Sequence, residues 1–117
     1  MAGGNWTPVF NRDNVSSLYA AWTRVGSLLF ITAQWTNSHI SGQGNSYIAS
    51  ASLPVPSGYS RFYGFHGTWR GDSSDVGGEC GQYSENGSFW FSKSGTNIQL
   101  PNEPISFNAI CLLKLAD

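Results

Sequence analysis

The carboxylates of residues 72–85 are the side chains of this sequence best suited to acid–base chemistry. They are Asp72, Asp75, Glu79 and Glu85. Hydrolysis of a glycosidic bond needs two carboxyl groups about 5 to 10 Å apart. Glu79 and Glu85 would share one strand face, but the extended chain between them would separate the two by about 20 Å. We therefore expect no glycosidase pair in this segment, and no enzyme.

His39 lies beside Ser38 and Ser41, which offers a base and a nucleophile in one short segment. The sequence has no G-x-S-x-G motif and its aspartates are distant along the chain, so we expect a solvated loop histidine. Asp72 and Asp75 offer oxygen ligands for Ca²⁺ together with loop carbonyls. Their segment lacks the EF-hand spacing, and we expect neither a metal nor a cofactor.

A sugar-binding site asks for less, namely an aromatic ring against the apolar face of the sugar and polar side chains for its hydroxyls. The strand end at Trp69 and the loop after it supply such groups. The turn at Tyr59 and the strand that follows the Trp69 loop supply others. The predicted receptor-binding residues are Trp69, Arg70, Asp72, Asp75, Tyr83, Tyr59 and Arg61. Two plainer interpretations stay open: Trp69 packs in the core, and Arg70 forms a surface ion pair with Asp72.

The bulk composition describes a small globular domain with little charge. The chain has 117 residues, of which 40% are hydrophobic and 15% aromatic, and a net charge of −1. This predicts one packed domain, which we assign to residues 6–117. The charge gives no attraction to nucleic acid, and no apolar run is long enough to insert into a membrane. Cys80 and Cys111 are expected as buried thiols, with a disulfide as the alternative.

The positions of these residues depend on the elements that carry them, and the chain reads as short strands separated by turn residues. This pattern predicts an all-β fold, an antiparallel β-sandwich or a β-barrel-like domain. Gly26-Ser27 and Asn86-Gly87 are predicted hairpin turns. The predicted strands are Trp6–Phe10, Leu18–Val25, Leu28–Thr36, Tyr47–Leu53, Arg61–Arg70, Glu79–Ser84, Ser88–Ser92, Ile98–Leu100 and Ile105–Leu115.

The strand Leu28–Thr36 is apolar on both faces at its start. One face carries Leu29, Ile31, Ala33 and Trp35, and the other carries Leu28 and Phe30 before it turns polar. A sheet that is half exposed normally alternates between an apolar and a polar face. Scattered exposed apolar side chains on a sandwich are one explanation for Leu28 and Phe30.

The order of signals over residues 6–56 resembles the C-terminal head or tip domain of bacteriophage tail fibres and tailspikes. That family pairs a W-x-P opening with an aromatic-x-x-VG-x-hydrophobic hairpin and a Leu-Pro-x-Pro strand end. The second half of the chain matches only in being β-rich, and its closing FNAICLLKLAD lacks the family's aromatic ending. The matching residues are Trp6, Pro8, Tyr19, Arg24, Val25, Gly26, Phe30, Leu53, Pro54 and Pro56.

The resemblance implies a homotrimeric β-sandwich or β-barrel at the far end of a fibre that recognises the host cell surface. We expect it to bind a glycan or a protein there. It implies a virion protein made in the cytoplasm of the bacterial host, with residues 1–5 as a linker or an added start. In such a trimer Leu28 and Phe30 would contact a neighbouring copy, which explains the apolar second face. A structural virion protein, for capsid decoration or tail assembly, is the alternative function, and a small glycan hydrolase is a third.

Overall fold

The computed structural model describes residues 2–51, 58–73, 77–82 and 88–115. Within these ranges the chain forms ten β-strands and no helix. The strands are β1 (Ala2–Asn5), β2 (Pro8–Phe10), β3 (Asp13–Val25), β4 (Leu28–His39), β5 (Tyr47–Ala51), β6 (Tyr59–Gly71), β7 (Gly77–Gln82), β8 (Phe89–Lys93), β9 (Thr96–Asn97) and β10 (Pro104–Leu115). The predicted all-β class is confirmed.

All pairs are antiparallel, and they join into one sheet in the order β1-β3-β4-β10-β6-β7-β8-β5-β2, with β9 paired to β8. Strands β1 and β2 are the two ends of this order, yet only Trp6 and Thr7 separate them in the chain. A flat sheet would hold its two ends about 38 Å apart, whereas this link spans about 10 Å. The sheet therefore curls into a half-barrel, which agrees with the barrel-like alternative.

The core fills the concave side of this half-barrel and follows the period-two pattern of the sequence. The predicted apolar face of β4 is buried throughout, and so is that of β10 up to Leu113. Phe107 of β10 meets Phe91 of β8 edge-to-face, with ring centroids 6.0 Å apart. Leu115, predicted on the same face as Leu113, is exposed at the last position of β10. The register shift beside it places an extra residue in the partner strand β6.

The N-terminal region is more regular than predicted. Residues 2–5, predicted as a linker, form β1 and pair with β3 from Ala2↔Arg24 to Asn5↔Ala21. Strand β3 begins at Asp13, five residues before the predicted start at Leu18. The register shifts between Ser16 and Tyr19, where Ser17 takes a φ of 54°. A bulge at this point lets a strand with a polar start remain in the sheet.

Turn chemistry sets the hairpins that the structure describes. Gly26, with a φ of 60°, begins the predicted turn between β3 and β4. Ser94 and Gly95 have φ values of 53° and 79°, the double positive φ of a type I′ turn between β8 and β9. The strand predicted at residues 98–100 is instead β9, at residues 96–97. The predicted Asn86-Gly87 hairpin and the prolines of residues 54 and 56 lie outside the described residues.

Candidate functional site

An apolar row crosses the convex face of the sheet near the turn at Gly26. We use this name for Val25, Leu28, Phe30, Ile110 and Leu112, all exposed. Their register makes them direct neighbours, since Leu28 lies between Val25 and Leu112, and Phe30 lies beside Ile110. Leu28 is 38% and Phe30 39% exposed, so neither side chain is inside the core of its own chain. The row continues over β6, where Leu112 lies against the backbone of Gly64.

Trp69, the predicted aromatic platform, lies in the core. Its side chain is only 2% exposed, and its Nε1 donates to the Ser92 carbonyl oxygen at 2.9 Å. A ring that stacks on a sugar needs an open face, so this indole does not supply one, and the core interpretation of Trp69 describes its position. Side chains of paired residues lie on the same face of a sheet. Trp69 pairs with Phe107, whose side chain also points inward.

Arg70 and Asp72 are both exposed at the end of β6. The Asp72 amide donates to the Pro104 carbonyl at 3.0 Å, and the Ser73 amide donates to a Glu103 carboxylate oxygen at 2.6 Å. These bonds fasten the start of the loop to the segment before β10. Among the described residues no ion pair joins Arg70 to Asp72.

Tyr59 is engaged within its own chain at the opposite end of β6. Its hydroxyl donates to the Gly26 carbonyl at 3.1 Å and accepts from Arg24 Nη1 at 3.2 Å. The strand from Tyr59 to Arg70 spans about 35 Å, so the two predicted clusters do not form one site. The backbone of Arg61 pairs with Lys114 in the same strand. The Arg61 side chain, Asp75 and Tyr83 lie outside the described part of the chain.

A cleft of about 480 Å³, which was not predicted from the sequence, opens where β5 and β9 meet β8. Its lining includes Asn45, Ser46, Tyr47, Ser88, Trp90 and Asn97. Tyr47 and Trp90 are direct register partners, which places both aromatic side chains on the same face. The signal in the sequence was alternation, because Trp90 lies between the buried Phe89 and Phe91 and must point away from them.

Both aromatic side chains of the cleft are held by neighbouring residues. The Trp90 ring lies over Gly81 of β7, where an added Cβ would come within 2.3 Å of Cζ2. The Asn11 side-chain amide donates to the Tyr47 hydroxyl. The Arg12 guanidinium lies 5.3 Å from the centre of the Tyr47 ring. The two rings are therefore positioned by the fold itself.

A buried polar cluster adjoins the cleft and corrects the expectation of a solvated His39. His39 Nδ1 lies 2.6 Å from Asp13 Oδ1, and the Asp13 side chain is fully buried. The Ser46 hydroxyl donates to the same Asp13 oxygen at 3.2 Å and accepts from the Leu100 amide at 2.8 Å. Ser46 therefore belongs both to this cluster and to the cleft wall.

The cluster differs from a Ser-His-Asp catalytic triad in geometry. In a triad the hydroxyl and the carboxylate face opposite ring nitrogens of the histidine. Here Ser46 Oγ and Asp13 Oδ1 both lie closest to Nδ1 of His39, at 3.4 Å and 2.6 Å. The Ser46 side chain is also fully buried. This arrangement fixes the chain around the cleft and gives no exposed nucleophile.

Cys80 and Cys111 are free thiols in the core, as the sequence led us to expect. Burial raises the pKa of the Cys111 thiol to about 12. Burial raises the pKa of Cys80 as well, with a smaller contribution from the neighbouring Cys111. Both thiols therefore stay protonated at neutral pH.

Within the described ranges, no group of three or more His, Cys, Asp or Glu side chains is placed to hold a metal ion. In the same ranges no helix has the length and apolar character required to span a membrane. No protein-family model, curated protein or solved structure matches the chain. The likeness to tail-fibre head domains therefore rests on the motifs of residues 6–56.

Proposed function

We propose that this chain is the head domain of a bacteriophage tail fibre, a virion protein that binds a glycan on the host cell surface. It acts as a homotrimer and does not cleave its ligand. The observation that carries the proposal is the apolar row, which gives one small chain a continuous, uncharged surface suited to contact with further copies. The motifs of the Trp6–Pro56 segment supply the family.

The apolar row is more than a set of scattered exposed side chains. Its five members are contiguous across β3, β4 and β10, and none of them carries a charge that a contact would have to desolvate. Covering the exposed part of five such side chains would contribute about 5 kcal/mol per subunit, before the cost of association. A gain of this size would offset part of the cost of association, so a closed oligomer would add further contacts around the row.

The row and the cleft lie at opposite ends of the sheet. This separation supports one surface for contact between copies and another for binding. The row lies beside the turn at Gly26, whereas Ser46 of the cleft contacts Asp13 at the other end of β3. The strand between Asp13 and Val25 spans about 40 Å. Copies that meet through the row therefore leave their clefts open, and several weak sites would bind a cell surface together.

The test is direct binding of the purified protein to an array of bacterial surface polysaccharides, followed by viscosity measurements on every polymer that binds. We expect binding without a fall in viscosity. A fall in viscosity would show that the protein is a hydrolase. Failure to bind any polymer on the array would contradict the glycan-binding function.

A structural virion protein is the second candidate function, because the same apolar row would serve contact with other virion proteins. Such a protein would bind neither polysaccharide nor whole cells. The array therefore separates the two functions.

A further inference from the structure

We propose that the cleft between Tyr47 and Trp90 is the glycan site, and that it takes an uncharged sugar ring. This inference rests on the proposed function and names its ligand class and its residues. It moves the site away from the Trp69 loop, where the sequence alone had placed it.

The pair of aromatic side chains in the cleft suits it to a sugar ring. Sugars present apolar C–H faces, and aromatic rings bury such faces well while leaving the hydroxyls free. Tyr47 and Trp90 stand side by side on adjacent strands, and both line the cleft. The contacts of Trp90 with Gly81 and of Tyr47 with Asn11 keep them in place, so binding orders few side chains.

Polar groups that could bind sugar hydroxyls lie beside the two rings. Asn45 and Asn97 are exposed and line the cleft, and neither side-chain amide has a hydrogen-bond partner among the described residues. A carboxamide offers both a donor and an acceptor, which suits a hydroxyl that can serve as either. Two amides next to two rings are therefore matched to a hydroxylated ring.

The described lining of the cleft is uncharged. The residues that line the cleft in the described part of the chain include no Asp, Glu, Lys or Arg. An anionic sugar would lose water at this site without meeting a cation in the described lining. The Arg12 guanidinium lies 5.3 Å from the centre of the Tyr47 ring and does not line the cleft. The volume of about 480 Å³ lies within the range of about 300–1,000 Å³ of small-ligand sites.

The experiment compares the wild type with the Asn45→Ala/Asn97→Ala double variant on the polysaccharide array. Titrations follow with methyl glycosides of glucose, galactose, N-acetylglucosamine and glucuronic acid. Asn5→Ala is the matched control, because Asn5 is an exposed amide in β1 that does not line the cleft. We expect the wild type to prefer neutral polymers and neutral glycosides. The double variant should lose about tenfold to thirtyfold in affinity, as expected for two hydrogen bonds, with the control unchanged.

Three results would overturn the inference in different ways. Equal binding by the wild type and the double variant would place the glycan site elsewhere and leave the proposed function standing. Preference for the glucuronic acid glycoside would contradict the uncharged ligand class. Failure of the wild type to bind any polymer would overturn the proposed function and the inference together.

Discussion

His39 and Asp13 lie 26 residues apart in the chain and meet with 2.6 Å between Nδ1 and Oδ1. They are also direct register partners at the open end of the β3–β4 hairpin. Because Ser46 donates to the same carboxylate oxygen, the pair joins the hairpin to the segment that leads into β5. This contact connects the β3–β4 hairpin to the wall of the cleft.

The buried carboxylate predicts a loss of stability when it is removed. Asp13→Ala leaves His39 and the Ser46 hydroxyl without their shared partner, and we expect the free energy of unfolding to fall by about 3 kcal/mol. Urea denaturation measures this change. Asn14→Ala is the control, because Asn14 is exposed at the next position, and it should alter stability by less than about 0.5 kcal/mol. Equal effects of the two substitutions would show that the cluster is not structural.

The sequence predicted those parts of the fold that depend on local alternation. The inward faces of β4 and β10 followed directly from the spacing of their apolar residues. Strand β1 was missed because Gly3 and Gly4 have no preference for a strand, and pairing with β3 holds them there. The contact of His39 with Asp13 was missed because it depends on long-range register, including the shift between Ser16 and Tyr19.

The site was harder to predict than the fold for a related reason. Alternation places Trp69 on a face but does not say whether that face is the core. It turns Trp90 outward, yet the cleft forms only when Asn45, Tyr47 and Asn97 come together from separate segments. Such a convergence depends on the sheet order, which no local pattern encodes.

The apolar row predicts that the protein is a trimer and that a charge placed within the row dissociates it. We expect light scattering at micromolar concentration to give three times the subunit mass of 12.7 kDa. Phe30→Lys should dissociate the assembly, because an ammonium group cannot be desolvated cheaply within an apolar contact. Val9→Lys is the control, since Val9 is an exposed apolar residue of β2 outside the row. A monomeric wild type would remove the homotrimer from the proposed function.

Because the thiols are buried, we expect the free energy of unfolding to be smaller in alkaline solution. In the unfolded chain Cys111 ionises around its ordinary pKa of 9.0, whereas in the folded chain its pKa is about 12. The unfolded state thus loses its proton first, so the free energy of unfolding falls as pH rises above 9. Thermal unfolding at about pH 8 and about pH 10 should show a larger loss for the wild type than for Cys111→Ala. An equal loss in both proteins would contradict this assignment.

Reactivity gives a second check on the same thiols. Only the thiolate reacts quickly with iodoacetamide, and both side chains are buried and protonated. Mass spectrometry after brief treatment at neutral pH should show no modification of the folded protein, and two additions in urea. Rapid labelling of the folded protein would show that the thiols are accessible.

The surroundings of Gly78 leave no room even for a methyl group. A Cβ there would lie 1.9 Å from the Ser92 carbonyl oxygen, which accepts the Trp69 indole hydrogen bond. We expect Gly78→Ala to reduce the free energy of unfolding by about 2 kcal/mol or more, because β7 and β8 must separate. Gly77→Ala, where the nearest atom lies 3.1 Å away, should cost less. The reverse order in urea denaturation would contradict the packing of these strands.

Ala2 pairs with Arg24, and Leu115 pairs with Tyr59, whose hydroxyl reaches Gly26, so both lie at the Gly26 end of the molecule. Ser46, in contact with Asp13, lies toward the other end of a molecule whose longest extent is 44 Å. A tag, surface anchor or fused partner joined close to Ala2 or Leu115 would therefore attach on the side away from the cleft. Immobilised sensors and display formats can use both terminal orientations without covering Tyr47 or Trp90.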